Sequence, residues 1–381
     1  MIIGFDAKRA AQNRTGLGNY SRFVIRSLSE TFPDSRFLMY VPNERRTEYL
    51  DEIPPSDNLG VVFPVKALWR RMRSLWRVWG MSGALKADGV NIFHGLSNEL
   101  PLTIRRASCK SVVTIHDLIF LSHPHCYHFI DRKIYDFKFR RACVNADRII
   151  AVSHYTKRQI VERYGVAADK IDVVYQGCDP VFAVPVPQSR LIDVARRHAL
   201  PEQFLLYVGS IEERKNLLLA VEAVARLAAR GERVHLVAVG RRTSYLDKIE
   251  RRVAEEGIED LFHVYHGVGY TDLPSFYRLA SAFVYPSRVE GFGIPLLEAI
   301  TAGVPAIGCT GSCLEEAGGP SSLYVSPDDV EAMSAAISRI MSDDALRCAM
   351  ISEGLSYSRR FAAPTLAQDL MAVYQKVMNQ S

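Results

Sequence analysis

Short apolar runs that return every few tens of residues, with helical stretches between them, constrain this chain more than any other feature. Ile2–Phe5, Phe37–Val41, Asn91–Phe93, Ser111–Ile115, Arg148–Val152 and Ile171–Tyr175 form a first series. Phe204–Val208, Val234–Val239, Phe262–Tyr265, Ala282–Tyr285, Pro305–Gly308 and Leu323–Val325 form a second. Each run is apolar on both faces and lies too far from the next for a hairpin, which describes buried parallel strands joined by helical crossovers. Leu217–Ala229, apolar almost all round, reads as one such crossover. The expectation is therefore α/β: two Rossmann-like, doubly wound parallel-sheet domains facing one another across a cleft. Cys178–Ser189, with three prolines and no helical period, reads as the linker. This predicts one domain over 1–183 and a second over 184–360, followed by an amphipathic helix, Phe361–Met378, with no strand after it.

Composition sets the outer limits. At roughly 150 residues per domain, 381 residues suit two domains, and 48% apolar with 23% charged residues is globular rather than disordered. No run approaches the roughly 18 apolar residues that span a bilayer, and MIIGFDA leads straight into a strand, so neither a signal peptide nor a membrane span is expected. Seven cysteines, odd in number and unpaired in spacing, fit reduced thiols in a cytoplasm. Cys309 and Cys313 lack the further ligands that zinc needs, so no metal is expected there. Net charge is +5, but residues 1–183 hold 27 Lys/Arg against 18 Asp/Glu and residues 184–381 hold 20 against 24, giving +9 and −4. Something anionic is expected to approach the first domain. No zinc-finger, RNP or basic-zipper signature accompanies the charge, which disfavours nucleic acid and leaves a phosphate-bearing substrate or an anionic membrane surface.

The richest segment is VYPSRVEGFGIPLLEAITAGVPAIG, Val284–Gly308. A strand is expected to end at Pro286, Gly291 and Gly293 to flank Phe292 in a tight loop, and a helix to begin near Pro295 and stop at Gly303. A glycine loop opening a helix presents unpaired N–H groups and a positive dipole end, which suits a diphosphate. Glu290 precedes this loop and Glu298 follows eight positions later, so one carboxylate can face a reacting sugar while the other accepts from a ribose. YVGSIEERKNLLLAVEAV repeats the plan: a strand, a turn at Gly209, and Arg214 and Lys215 beside a helix start, where two cations can neutralise a leaving diphosphate. Such cations oppose the helix dipole, so a purely structural reason for them is lacking.

In the first domain, Gly16 and Gly18 lie between the first strand and an amphipathic helix, half of a dinucleotide fingerprint; a tight turn explains them as well as a phosphate or acceptor contact. His116 and Asp117 fall just past a buried strand, where ligands bind. His123, His125 and His128 follow without an acidic partner and read as structural. Lys66–Met81 holds all three tryptophans; as one helix it would line up Lys66, Arg70, Arg73 and Arg77 on one face and Trp69, Met72, Trp76 and Trp79 on another. That pattern fits a helix lying on anionic lipid. It also fits a helix docked by its aromatics onto its own sheet.

Together, GLGNYS, HGLSNELP, TIHDL, VGSIEERKN, SRVEGFGIPLLEA and the terminal helix resemble glycosyltransferase family 4, over nearly the whole chain. The resemblance implies the two-domain GT-B architecture, retention of anomeric configuration, and a C-terminal helix, 361–381, returning to the N-terminal domain. Its most specific element is the family's Glu-x7-Glu motif, here Glu290 to Glu298. By this resemblance Glu290 approaches the donor sugar, Glu298 the ribose, and the amides of Phe292, Gly293 and Ile294 the phosphates. Arg214 and Lys215 match the pair that binds the diphosphate, Gly209 the turn before it, His116 a histidine near the donor sugar, and Gly16 the N-terminal glycine loop. Many members carry Arg directly after that turn, where this chain has Ser210, which leaves the charge to Arg214. The implied reaction moves a hexose from a nucleotide-diphosphate sugar, with no metal or other cofactor, to a saccharide or lipid-linked acceptor, at the inner face of the membrane or free in the cytoplasm. Mannosyltransferase-like wording in TIHDL and GFGIPLLEA points to GDP-mannose. A nucleotide-sugar 2-epimerase of the same fold, and a membrane-surface protein without turnover, remain the alternatives.

Overall fold

The computed structural model describes residues 1–380, which form two compact units: Met1–Gly177 with the chain from Phe361 onward, and Cys178–Arg360. The change of unit falls at Gly177/Cys178, at the start of the proline-rich stretch rather than beyond it. Each unit is built on one all-parallel sheet.

The first sheet has seven strands, β1 (Ile2–Asp6), β2 (Arg36–Tyr40), β3 (Leu59–Val62), β4 (Ile92–Gly95), β5 (Lys110–Ile115), β6 (Arg148–Ala151) and β7 (Ile171–Val173), in the order β3-β2-β1-β4-β5-β6-β7. The second has six, β8 (Phe204–Val208), β9 (His235–Val239), β10 (Phe262–Tyr265), β11 (Ala282–Tyr285), β12 (Ala306–Cys309) and β13 (Leu323–Val325), in the order β10-β9-β8-β11-β12-β13. Both follow the doubly wound plan, in which the strand order reverses once; the reversals fall between β1 and β4 and between β8 and β11. Crevices open beyond the carboxyl ends of the strands at these points, because the helices that follow the two neighbouring strands leave on opposite faces.

The core of each sheet is apolar on both sides, as helices covering both faces require: Ile3, Phe5, Phe93, Val113 and Ile149 in the first, Leu205, Leu206, Val237, Phe283 and Ile307 in the second, are all buried. The helix Leu217–Ala229 runs over the expected residues and buries Leu217, Leu219, Val221, Val224 and Leu227. The terminal helix, Ala363–Met378, belongs to the first unit. Its buried Tyr374 hydroxyl meets His94 Nδ1 at 2.7 Å, and its Lys376 donates to Asp172 at 2.8 Å.

Three local expectations need correction. Strand β3 and a short helix, Lys8–Gln12, were not anticipated. Gly16 and Gly18 do not form a loop ahead of the next helix; they sit in its first turn, since that helix spans Gly16–Thr31. The segment 66–81 is not one helix. It breaks at Met72, passes through Arg73–Leu75 into a π-helical turn at Trp76–Gly80, and only then continues as Met81–Ala87. The cause is tertiary. Trp76 is pulled into the core with Tyr40, Met81 and Leu85, and Arg77 reaches Asp6 at 2.7 Å and Glu99 at 2.6 Å. Arg77 therefore does not share an exposed basic face, and of the tryptophans Trp79 alone is exposed.

Candidate active site

Arg214, Lys215 and Glu290 come together at the β8/β11 reversal. The loop after β8 runs through Gly209 into a 3-10 turn, Glu213–Lys215, which Asn216 closes in the left-handed conformation (φ 56°). Asn is among the few residues that adopt that conformation readily, and it also begins the following helix, so the two cations precede the helix rather than stand in its first turn. The loop after β11 lies against this turn: Arg288 N–H donates to Arg214 O at 3.0 Å, and Arg214 Nη1 donates to Val289 O at 2.7 Å.

Glu290 Oε1 gathers donors from both loops: Ser287 Oγ at 2.8 Å, the Tyr285 hydroxyl at 3.0 Å, Arg214 Nη1 at 3.0 Å and Lys215 Nζ at 3.1 Å. Lys215 also donates to the Tyr285 hydroxyl at 2.5 Å and lies 5.0 Å from the centre of its ring. Burial would raise the Glu290 pKa, but Lys215, Arg214 and the Ser287 hydroxyl outweigh it and hold the carboxyl down at about 2. Neither cation is exhausted. An ammonium has three donors and a guanidinium five, and the contacts to Glu290, Tyr285 and Val289 leave Lys215 one donor and Arg214 several. Two cations meet the one buried carboxylate of Glu290, and the second carboxylate near them, the more exposed Glu212, lies 3.8 Å from Arg214 Nη2.

Beside it the helix Ile294–Thr301 begins, with Gly293 as its cap (φ 107°) and Pro295 in its first turn. A Cβ on Gly293 would come within 2.6 Å of Leu314 Cδ2, so both the dihedral and the packing call for glycine. The amides of Gly293 and Ile294 have no acceptor within the helix and lie at its positive end. Phe292 is buried, and Cys313 Sγ donates to Glu290 O at 3.1 Å, fixing the loop between them.

Glu298 does not join this cluster. It points from the same helix to the Tyr277 hydroxyl, which donates to its Oε2 at 2.8 Å. Burial, opposed by the Tyr277 hydrogen bond and reinforced by Asp179, raises its pKa to about 8. A row of rings joins the two glutamates: Tyr285 stacks on Phe283 at 5.9 Å between centroids, and Phe283 lies 5.3 Å from Tyr277. Sequence reasoning passed over Tyr285, Ser287, Tyr277 and Asn216. Only Asn216, a helix-capping type directly before a leucine-rich helix, carried a recognisable signal.

His116 and Gly16 lie in the first unit. His116 is buried, its Nε2 faces Leu96 O at 2.9 Å and its Nδ1 faces Gln176 Nε2 at 2.9 Å, so Nε2 carries the proton and both nitrogens are engaged. Burial, partly opposed by the Leu96 carbonyl, lowers its pKa to about 4, and the ring is neutral at pH 7. The two N-terminal glycines differ. A Cβ on Gly18 would lie 1.7 Å from Asn13 O, whereas one on Gly16 would meet nothing within 4 Å. Gly18 is demanded by the fold, and Gly16 is not. Among the described residues no group of three or more His, Cys, Asp or Glu side chains is placed to hold a metal ion, His123, His125 and His128 included.

Cations and a helix N-terminus at the switch point of a doubly wound sheet form the kind of arrangement in which phosphate groups are bound, and comparison with known proteins narrows the class. Residues 24–182 match the domain family described as Glycosyltransferase Family 4, and residues 190–356 match Glycosyl transferases group 1. The chain is 29% identical over 377 residues to O-antigen chain mannosyltransferase B of Escherichia coli, covering 95% of this chain and 96% of that protein. It is 25% identical over 77% of its length to the serotype-specific mannosyltransferase WbdA of Escherichia coli, of which it spans only 37%. The structure of HepE from Anabaena in complex with UDP superposes with a TM-score of 0.75 over 98% of this chain and 99% of that one, at 15% identity. The chain thus carries a glycosyltransferase family 4 domain followed by a glycosyl transferases group 1 domain, and its fold is GT-B.

Proposed function

We propose that this glycosyltransferase retains anomeric configuration and transfers a hexose, mannose in the leading reading, from a nucleotide-diphosphate sugar to a saccharide or lipid-linked acceptor in surface-polysaccharide assembly. The observation that carries the proposal is the convergence of Arg214 and Lys215 on Glu290 beside the helix that Gly293 opens. Breaking the bond between C1 and the phosphate oxygen leaves an oxocarbenium-like sugar and a diphosphate that gains negative charge. The remaining donors of Arg214 and Lys215, with the amides of Gly293 and Ile294, are directed at that developing charge and need no reorganisation to meet it. Glu290 keeps these cations in place through Oε1, while Oε2, which makes none of the four contacts, faces the hexose. Tyr277 and Glu298 hold the ribose. The acceptor hydroxyl attacks C1 on the face the diphosphate leaves, and its proton passes to a departing phosphate oxygen, which balances the step without a protein base. No step requires a metal. Mannose is favoured by the mannosyltransferases named above, and GDP-mannose is the donor that this reading tests first.

The test is a thermal-shift panel of GDP-, UDP- and ADP-sugars followed by a transfer assay with the binder. A ligand at 100 times its Kd stabilises by about 2.7 kcal/mol, which is readily resolved. Lys215→Ala should lower transfer on the order of 10²–10³-fold. Undiminished transfer from every donor tested would overturn the reading, and an epimerised donor formed without acceptor would replace it with an isomerase.

A further inference from the structure

The loop that follows β12 adjoins the Glu290 loop, and the fold engages only part of it. β12 is paired with β11, and paired strands lie about 4.8 Å apart, so the loops leaving their carboxyl ends start side by side. The two loops touch. Cys313 Sγ donates to Glu290 O at 3.1 Å, and a Cβ on Gly293 would come within 2.6 Å of Leu314 and 3.5 Å of Ala317. Thr310 is tied to the sheet, its N–H and its hydroxyl both directed at Val325 O, at 2.9 and 3.5 Å. Ser312 is the exception: it is 5% exposed, and its Oγ has no hydrogen-bond partner.

A buried hydroxyl left unpaired is uncommon, because it gives up its bonds to water and gains none in return. Among the described residues of the second unit one other serine hydroxyl is in that position, Ser321, and it lies ahead of β13 at the amino edge of the sheet, packed beside Gly354. Ser312 lies at the carboxyl edge, where doubly wound sheets bind their ligands. Next to it Gly311 is exposed and left-handed (φ 86°), with open space where a Cβ would stand, so the loop is free to turn there and uncover Oγ. Strand order adds a direction. In the run β8-β11-β12 the Glu290 loop stands between Arg214 and Lys215, which follow β8, and Ser312, which follows β12. Cations suited to phosphate therefore lie on one side of Glu290 and a neutral hydroxyl on the other. A serine hydroxyl both donates and accepts, as every hydroxyl of a sugar does.

We propose that Ser312 is a specificity-determining residue of the donor site, its Oγ forming a hydrogen bond with one hydroxyl of the transferred hexose. The inference rests on the nucleotide-sugar reading given above and adds to it which loop recognises the sugar. Through Cys313 and Leu314 the same loop is fixed to Glu290 and Gly293, so the group that recognises the hexose is held in register with those that meet the diphosphate.

The full-length protein is titrated with the nucleotide sugar that stabilises it most, GDP-mannose first, with the matching nucleoside diphosphate, and with analogues of that sugar each lacking one hexose hydroxyl. Expected for Ser312→Ala is an unchanged or higher Tm without ligand, since no hydrogen bond is lost, and affinity for the diphosphate within about twofold of the wild type. Affinity for the nucleotide sugar should fall about tenfold. One deoxy analogue should bind the wild type as weakly as the parent sugar binds the variant, and the variant should not distinguish that analogue from the parent, a coupling that a merely structural role would not produce. An equal loss for the diphosphate would assign Ser312 to the phosphates, undiminished affinity for the nucleotide sugar would leave its hydroxyl to an ordered water, and deoxy analogues that both proteins rank alike would remove the pairing; each overturns the proposal. A wild type that binds none of the nucleotide sugars would instead overturn the donor reading on which the proposal rests.

Discussion

Replacing Glu290 by Gln keeps its shape and removes its charge, which makes the cluster's electrostatics measurable. The carboxyl is held at about 2 against an ordinary 4.5, a difference of 2.5 units. At about 1.36 kcal/mol per unit this corresponds to about 3 kcal/mol of folding stability at pH 7. Because the folded value is the depressed one, the contribution is complete above the unfolded value and fades as pH falls from 4.5 toward 2. At pH 3 about 1.4 kcal/mol should remain. A second consideration sets the upper bound. The amide leaves Arg214 and Lys215 buried without their counter-charge, and removing one partner of a buried pair commonly costs about 3–5 kcal/mol. The expectation for Glu290→Gln is thus a loss of about 3–5 kcal/mol at pH 7 that shrinks steadily in acid.

The assay exploits an accident of composition. Trp69, Trp76 and Trp79 all lie in the first unit, so tryptophan emission follows that unit alone, whereas far-ultraviolet circular dichroism follows both. In urea titrations between pH 7 and pH 3, Glu290→Gln should shift a component of the dichroism transition that emission does not share. A shift below about 1 kcal/mol at pH 7, one confined to emission, or one that acid leaves unchanged would refute the reasoning, since each contradicts an ion cluster seated in the second unit.

Other consequences follow from the same contacts. Glu298 behaves oppositely to Glu290: its raised value means that stability present below about 4.5 is lost as pH rises toward about 8. Glu298→Gln should therefore stabilise the free protein at pH 8 while weakening nucleotide binding, seen as a higher Tm without ligand and a smaller shift with it. Tyr285→Phe removes the hydroxyl that accepts from Lys215 and donates to Glu290; it should lower kcat about tenfold or more with little change in KM, and a purely structural role would instead lower Tm with kcat intact. Gly18→Ala should abolish soluble folding because of the clash with Asn13 O, whereas Gly16→Ala should fold normally and reveal, by its donor KM, whether a ligand approaches that open position. Tyr374→Phe deprives buried His94 of a partner and should cost about 1–3 kcal/mol in the tryptophan-monitored transition.

The strands were legible because a strand buried in a parallel sheet must be apolar on both faces, and short surface elements rarely are. The one overlooked, β3, is an edge strand of partly exposed residues that include Gly60, so it lacks the run. The segment 66–81 misled for a different reason. Its periodicity is truly helical until Gly80, and what breaks it is the reach of Arg77 to two carboxylates distant in sequence, which no local pattern encodes. Arg214, Lys215 and Glu290 could be found because doubly wound topology places the loops after two particular strands together.

What lay beyond reach was how those residues are held. Tyr285 and Phe283 alternate on one face of β11, and in sequence they are ordinary strand aromatics whose bulk accounts for their presence. Their polar role depends on position. Tyr285 is the last residue of its strand, so its ring is buried while its hydroxyl emerges at the carboxyl edge, where Glu290 and Lys215 arrive from two loops. A buried tyrosine hydroxyl needs a partner, and at a switch point the available partners are the charged groups that a ligand also needs. Tyr277 meets the same requirement through Glu298. The two acids of the motif are thus each tied to a tyrosine of one aromatic row, so substitutions within that row, Phe283 included, should disturb both acids together, whereas changes to either acid alone should not.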